Sequence, residues 1–156
     1  MRNVTVKVLI GMAVTAIAMF GADNSIGTWK RNVARSKSTP AAKNPIKSLT
    51  SVREAIDGGV KVTATGEMQD GTAINYSASV KYDGKEYPAT GGSWDTVSIK
   101  QIDANTFTVE NKKSGGKYHT KGRIVISKDG KTMTGTSKGT NAEGQPTSST
   151  QISEKQ

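Results

Sequence analysis

The side chains that most often carry out catalysis are scarce in this sequence. His119 is the only histidine among 156 residues, and cysteine is absent. A general base needs an orienting partner and a nucleophile within reach, yet no Gly-x-Ser-x-Gly turn, histidine cluster or pair of carboxylates at helical spacing accompanies His119. The lack of cysteine also excludes a cysteine nucleophile, a cysteine–zinc site and a disulfide scaffold. We therefore predict that the protein is not an enzyme and that it has neither catalytic residues nor a cofactor.

Two aspartate–glycine pairs resemble the start of a calcium-binding loop. They are Asp70-Gly71 and Asp129-Gly130, and neither is followed by the further carboxylates and terminal glutamate that such a loop needs. An Asp-Gly pair also supplies the positive φ angle of a tight hairpin turn at low steric cost. We therefore interpret both pairs as turns and predict no metal site.

Turn signals recur at nearly regular spacing, with room between them for one strand each. In these intervals apolar and polar residues alternate, as they do from residue 60 to residue 68. Alternation with a period of two predicts strands that have one face toward water. Residues 34–47 contain two prolines and no clear period, so we predict a loop there. The predicted strands span residues 26–32, 48–57, 59–68, 72–82, 85–89, 95–102, 106–113, 117–127, 131–140 and 146–155.

Short hairpins between successive strands predict an antiparallel up-and-down meander. A meander of this length must protect its edges, and closure into a barrel removes them. Residues 23–156 contain a single leucine, Leu49, which argues against a helical bundle. We predict an all-β fold, an up-and-down antiparallel β-barrel of about 8–10 strands, with a β-sandwich as the alternative.

The inward-facing positions of such a barrel suggest a place for a ligand. Four glycines share the inward parity, where they either leave volume unfilled or let the strands bend: Gly66, Gly122, Gly135 and Gly139. A small barrel is either filled by its side chains or holds one small ligand. Tyrosines would orient such a ligand through a flat apolar body and one hydroxyl group. The predicted ligand-binding residues are Ile74, Tyr76, Tyr82, Ile99, Phe107, Tyr118 and Met133.

Other positions share the inward parity, namely Val60, Val62, Met68, Val80, Val97, Val109, Ile124 and Ile126. Ile152 on the last strand has the inward parity. Trp94 lies in a glycine-rich predicted loop, where it either covers the mouth of the barrel or packs on its rim.

Positive charge is concentrated late in the sequence. Residues 112–138 include eight lysines and arginines but only one acidic residue, Asp129. On adjacent strands this run predicts either a basic surface for an anionic partner of the cell envelope, or a solvated lysine face that protects strand edges. We predict no nucleic-acid binding, because these strands lack aromatic residues exposed among the charges. The residues assigned to the basic surface are Lys112, Lys113, Lys117 and Lys121.

Residues 1–22 have the organisation of a secretory signal peptide. Arg2 and Lys7 precede an apolar run from Val8 to Phe20, and small residues follow. The run is short for a transmembrane helix, and the alternative is an uncleaved N-terminal anchor. We predict a signal peptide over residues 1–22, one domain over residues 23–156, and a periplasmic or secreted protein. The domain has a net charge of +7, since the leader holds two of the 22 basic residues and none of the 13 acidic ones.

The two ends of the predicted domain carry a family signature. Gly27-Thr28-Trp29 opens the first strand, and Glu154-Lys155 closes the last. Together with the leader and the meander, these residues resemble the lipocalin and fatty-acid-binding-protein (calycin) superfamily, and especially small secreted lipocalin-like proteins of bacteria. In that superfamily the indole plugs the base of the barrel, and a late-strand arginine often packs over it. The resemblance therefore implies structural roles for Gly27, Trp29 and Arg123.

The sequence departs from fatty-acid-binding proteins in two respects. Residues 33–47 show no helical lid, and the last strand has Gln151 and Ser153 where those proteins have the Arg-x-Tyr pair that holds a carboxylate. The resemblance therefore does not imply that clamp. We expect a monomeric exported barrel that binds a small apolar or amphipathic ligand. The alternative is a structural or interaction module of the cell envelope, with a filled core and a functional basic face.

Overall fold

The computed structural model describes residues 22–156, so the predicted signal peptide lies outside the described residues except for Ala22. This part of the chain forms eleven β-strands and no helix. Consequently no helix among residues 22–156 is long and apolar enough to cross a membrane. The strands are β1 Gly27–Arg31, β2 Lys37–Thr39, β3 Ile46–Ile56, β4 Gly59–Met68, β5 Ala73–Lys81, β6 Tyr87–Thr90, β7 Thr96–Asp103, β8 Thr106–Lys112, β9 His119–Ile126, β10 Thr132–Thr140 and β11 Pro146–Lys155.

The strands form one closed antiparallel barrel. From β3 to β11 each strand pairs with the next along the chain, and β1 lies between β3 and β11. Trp29 of β1 stands opposite Ser51 of β3 and Lys155 of β11, which closes the cylinder. The barrel therefore has ten strands, and β2 is one extra strand beside β11. The predicted up-and-down barrel is confirmed.

The predicted loop over residues 34–47 differs from the structure. Within it β2 pairs with residues 148–150 of β11, and β3 already begins at Ile46. Sequence periodicity did not indicate β2, because a three-residue strand is too short to show alternation and its partner is more than a hundred residues away. On the same edge of β11, residues 153–155 pair with β1.

One end of the barrel is filled by large side chains. Trp29, Phe107, Val60 and Val80 are fully buried there, and Ile99, Ile126 and Met133 pack in the same cluster. Burial of large apolar side chains is the main source of stability in a domain this size. The cation above the Trp29 ring is Lys155, with its Nζ 5.3 Å from the ring centroid. Trp29 thus closes the base of the barrel.

A polar network fixes the indole of Trp29 at this end. Its Nε1–H donates to the carbonyl oxygen of Ser25 at 2.8 Å. The Ser25 hydroxyl donates to Asp23 at 2.6 Å and accepts from Arg53 Nε at 3.1 Å. The Tyr82 hydroxyl donates to the other oxygen of Asp23. Because buried polar groups are costly unless they are paired, this network specifies how the segment before β1 packs under the barrel.

Two interior assignments need correction. Arg123 does not pack over Trp29: it pairs with Thr108 and Thr136 on the outer face of β9, and Lys155 takes the position over the indole. Ile152 pairs with Thr134 and therefore has the outward parity, since Met133 faces the core. Ile152 is nevertheless buried, and the Ser36 hydroxyl group hydrogen-bonds its backbone. The chain between β1 and β2 thus lies against β11 here.

Candidate ligand-binding cavity

The other half of the barrel is hollow. A cavity of about 750 Å³ opens at the end opposite the Asp23 network. Val109, Ile124, Trp94 and Tyr118 provide its apolar wall. The loops at residues 40–44 and 141–145 form part of its rim. Ligand sites in proteins commonly have volumes of about 300–1,000 Å³, so this cavity has room for a small molecule.

The cavity is hollow because small residues occupy the inward positions of β9, β10 and β11. Ile124 and Gln151 are the larger inward side chains along this wall. The other inward residues that line the cavity there are Thr120, Gly122, Gly135, Ser137, Thr147 and Ser149. At the base, the corresponding space is filled by Trp29 and Phe107. The difference in side-chain volume between the two ends therefore creates the cavity.

The inward glycines have two different roles. A Cβ atom at Gly122 would lie 1.9 Å from the carbonyl oxygen of Thr136, and one at Gly66 would lie 2.1 Å from that of Ser48. These glycines allow neighbouring strands to approach closely. A Cβ atom at Gly135 would meet nothing nearer than the Cβ of Gln151 at 3.8 Å. Of the inward glycines on these strands, Gly135 is the one at which a Cβ atom would fit without moving a neighbouring strand.

Three aromatic rings stand together at the mouth. The Trp94 ring is stacked on Tyr118, with centroids 5.5 Å apart and an interplanar angle of 24°. On its other side it meets Tyr76 at 5.6 Å in a tilted arrangement. Burial raises the pKa of Tyr76, and an interaction with Trp94 partly offsets this rise. The Trp94 Nε1–H is buried and has no hydrogen-bond partner of normal geometry. Trp94 and Tyr118 both line the cavity, so Trp94 lies at the mouth of the barrel and does not pack only on its rim.

The backbone on both sides of Trp94 holds it in this position. Gly91 has a φ angle of 79°, and a Cβ atom there would collide with the carbonyl oxygen of Asn75. The Asp95 carboxylate accepts hydrogen bonds from the backbone N–H and the hydroxyl of Ser114, at 2.8 and 3.1 Å. The bond from the Ser114 backbone is the main reason that the pKa of Asp95 is lowered. The close approach of Gly91 to the Asn75 backbone and the hydrogen bonds of the Asp95 carboxylate therefore fix the two sides of the loop that carries the Trp94 indole.

A cation stands beside the polar wall of the cavity. Arg31 pairs with Ser153 and has the inward parity of Trp29. Its guanidinium donates a hydrogen bond to Gln151 Oε1, and Gln151 lines the cavity. The Nε of Arg31 is buried without a partner. Burial lowers the pKa of Arg31.

The predicted ligand-binding residues fall into separate groups. Tyr118 lines the cavity, and Tyr76 contacts Trp94 at its mouth. The remaining aromatic pair, Tyr82 and Phe107, is packed ring to ring at 5.3 Å in the closed end. Burial, and then the hydrogen bond to Asp23, raises the pKa of Tyr82. Ile99 and Met133 belong to the packed core, and Ile74 is half-buried opposite Gly66 on β4.

Sequence reasoning did not assign Gln151 or Arg31 to this site, and it left open whether Trp94 covers the mouth or packs on the rim. Strand parity gave a signal for Arg31, because Arg31 alternates in phase with the buried Trp29, but its charge argued against an interior position. Parity was misleading for Gln151, because the one buried residue of β11, Ile152, is its immediate neighbour and has the opposite parity. Trp94 lies in a loop, where residues do not alternate between apolar and polar, so the sequence does not indicate which way its side chain points.

The predicted basic surface is largely neutralised. Lys112 contacts Glu86 and Glu110, and Lys113 lies 3.3 Å from Asp95. Lys121 is 3.6 Å from Glu110. Of the four predicted lysines, only Lys117 makes no ion pair within residues 22–156. The acidic partners Glu86, Asp95 and Glu110 all lie outside residues 112–138, so the charge counted along that run overstated the local charge.

A different cluster of cations lies on the outer wall. A groove of about 400 Å³ crosses β9, β10, β11 and β2, and we call it the outer groove. Its basic residues are Lys37, Lys121, Arg123 and Lys138, and its other polar side chains are serines and threonines. Lys121 and Lys138 stand directly opposite each other on paired strands, an arrangement that destabilises a sheet when the charges are alike.

The residues with the greatest catalytic potential lie outside the cavity or are otherwise engaged. His119 is on the outer wall, where its Nε2 is 2.6 Å from Glu110. Gly135 to Gly139 matches the letters of a Gly-x-Ser-x-Gly motif but forms part of strand β10, and the Ser137 hydroxyl contacts that of Ser149 at 2.9 Å. No group of three or more metal-ligating residues occurs within residues 22–156.

No protein-family model matches this sequence, and no curated protein matches it. Several solved structures are similar in shape. The S-type phycobiliprotein lyase CPES from Guillardia theta has a TM-score of 0.54 at 11% identity, with 85% of this chain and 89% of that chain covered. A redesigned β-barrel, mFAP1, bound to DFHBI, has a TM-score of 0.47 at 12% identity, covering 85% and 95% of the two chains. EF1p2_mFAP2b bound to DFHBI has the same score at 10% identity, covering 85% and 94%. The likeness to the lyase is one of fold alone.

Proposed function

We propose that this protein is a non-enzymatic carrier of a small amphipathic molecule, held in the cavity at the open end of the barrel. The observation that carries the proposal is the contrast between the two ends. The base is closed around Trp29, while the mouth leaves about 750 Å³ beside Trp94 and Tyr118. A core that needed only to be stable would fill such a space, because protein interiors pack closely.

The lining of the cavity suggests how a ligand is held. The apolar part of the ligand lies against Trp94, Tyr118 and Ile124, where it displaces water from apolar surface. Its polar part faces the amide and hydroxyl groups of β11, including Gln151. A molecule with one flat apolar side and one polar end fits this arrangement. We further propose that the protein is a small exported lipocalin-like monomer of the periplasm or the extracellular space, on the basis of the predicted leader.

Dye binding tests this function. The neutral dye N-phenylnaphthylamine should gain fluorescence with the protein and be displaced by an added lipid. Truncation of the stacking surface in Trp94→Ala should weaken binding by about tenfold, because an aromatic contact and its buried area are lost. Val125→Ala is a matched control: Val125 is 42% exposed and follows the cavity residue Ile124 on β9, but it faces outward. A dye signal at background, or equal losses in the two variants, would overturn the proposal.

Native mass spectrometry of the purified protein would identify a retained molecule.

A second candidate function uses the outer groove. Within residues 22–156, Lys37, Arg123 and Lys138 make no ion pair with a carboxylate. A concave, hydroxyl-lined surface with several cations and no acidic lining residue attracts anions. We propose that the outer groove, rather than Lys112 and Lys113, would contact phosphate groups of the cell envelope if this protein acts as an envelope interaction module.

Paired charge variants distinguish the two basic surfaces. Arg123→Gln with Lys138→Gln removes two unpaired charges from the groove, and Lys112→Gln with Lys113→Gln removes two from lysines already paired with acids. Only the first pair should abolish salt-sensitive binding to immobilised lipopolysaccharide. Equal losses would show that attraction depends on net charge alone, and no binding by the unaltered protein would eliminate this candidate.

A further inference from the structure

Arg31 is an arginine inside the barrel without a counter-ion. Its position in β1 gives it the same parity as Trp29, so its side chain enters the interior. None of the ion pairs found within residues 22–156 includes it. Its Nε is buried and lacks a hydrogen-bond partner. Buried charges in proteins are normally paired, because removing an ion from water is costly.

Gln151 connects this cation to the cavity. The guanidinium donates to Gln151 Oε1, which leaves the Gln151 amide N–H groups as donors on the cavity wall. Ser153, which stands opposite Arg31, is two residues farther along the same strand and has the same inward parity. Arg31 therefore lies one inward-facing position closer to the base of the barrel than Gln151, which lines the cavity. The Gln151 amide presents hydrogen-bond donors to the cavity, and the Arg31 guanidinium lies directly beside that side chain.

We infer that the ligand carries an anionic group, such as a carboxylate or sulfonate, which is bound by Arg31 together with Gln151. This inference rests on the proposed cavity function and adds a chemical class to it. An oxyanion would accept hydrogen bonds from a planar guanidinium, which is well suited to such groups. The apolar part of the same molecule would remain against Trp94 and Tyr118.

Two dyes with one skeleton test the inference. Anilinonaphthalene sulfonate and N-phenylnaphthylamine share their aromatic rings, and only the first carries a sulfonate. In Arg31→Met, affinity for the sulfonate should fall by about tenfold or more, because a charged hydrogen bond is lost, while affinity for the neutral dye stays within about twofold. Arg35→Gln removes the same charge from a side chain that is 60% exposed and paired with Glu154, and it should change neither affinity.

A second variant covers the case in which Arg31→Met does not fold. Gln151→Glu preserves the shape of the side chain and places a carboxylate beside the guanidinium. The new ion pair should occupy Arg31, so the preference for the sulfonate disappears while the neutral dye still binds. Equal losses of both dyes in Arg31→Met, equal losses of the sulfonate in Arg31→Met and Arg35→Gln, or an unchanged preference in Gln151→Glu would each overturn the inference. If neither dye binds the unaltered protein, the proposed function itself fails.

Discussion

Gly135 offers a sharp test of the hollow interior, because filling it should separate stability from binding. It lies on β10, opposite Gln151 and Ile124. A Cβ atom there would be 3.8 Å from that of Gln151, which is ordinary van der Waals contact. Gly135→Ala should raise the free energy of unfolding by about 0.5–1 kcal/mol, since glycine inside a strand costs more conformational entropy than alanine. Urea titration followed by circular dichroism measures this change.

A larger side chain at the same position should obstruct the cavity. In Gly135→Phe the ring would extend beyond Cβ into the space lined by Ile124 and Gln151. We expect the affinity for N-phenylnaphthylamine to fall by about tenfold or more, equivalent to about 1.4 kcal/mol of binding free energy, without loss of the folded state. Dye titration and urea unfolding of the same sample give both quantities.

Gly122 provides the matched control on the neighbouring strand. It has the same inward parity, but a Cβ atom there would lie 1.9 Å from a backbone oxygen of β10. Gly122→Ala should therefore lower the free energy of unfolding by about 1–3 kcal/mol, because the strands must separate. Undiminished dye binding in Gly135→Phe would refute the location of the site. A Gly135→Ala protein less stable than the unaltered one would refute the room for a Cβ atom at this position.

Further predictions concern the closed end and the turn that holds Trp94. Trp29→Ala should lower the free energy of unfolding by about 3–5 kcal/mol in urea titration, because it empties the largest fully buried position. The pKa of Tyr82 is raised above its ordinary 10.0, so stability is complete below pH 10.0 and declines as pH rises, when the unfolded chain releases the proton first. Alkaline unfolding should be less steep in Tyr82→Phe, and equal steepness would contradict this. The pKa of Asp95 is lowered from 3.8, so its contribution is present above pH 3.8 and lost below it. Asp95→Asn should remove that part of the acid dependence, as measured by unfolding titrations across this range.

The sequence by itself determined the class of fold. Alternation with a period of two, together with Asp-Gly turns, predicted nearly all the strand positions, because a strand facing water on one side records its orientation in its residue types. Parity also indicated the core residues Val60, Val80 and Phe107, which are fully buried. Local patterning was sufficient for these features because each hairpin joins neighbours in the chain.

Only the tertiary structure decided which part of the interior is filled and which is hollow. Strand parity shows that a side chain points into the barrel, but it does not show how far along the barrel axis the side chain lies. Phe107 at the base and Tyr118 at the mouth therefore look alike in the sequence. Closure of β1 against β11 brings Arg31 beside Gln151, across 120 residues of chain. Ion pairing across strands likewise neutralised Lys112 and left Lys138 unpaired. The net charge, the free volume and the contacts of a site depend on residues that are far apart in the sequence. They could therefore be assigned only once the fold was known.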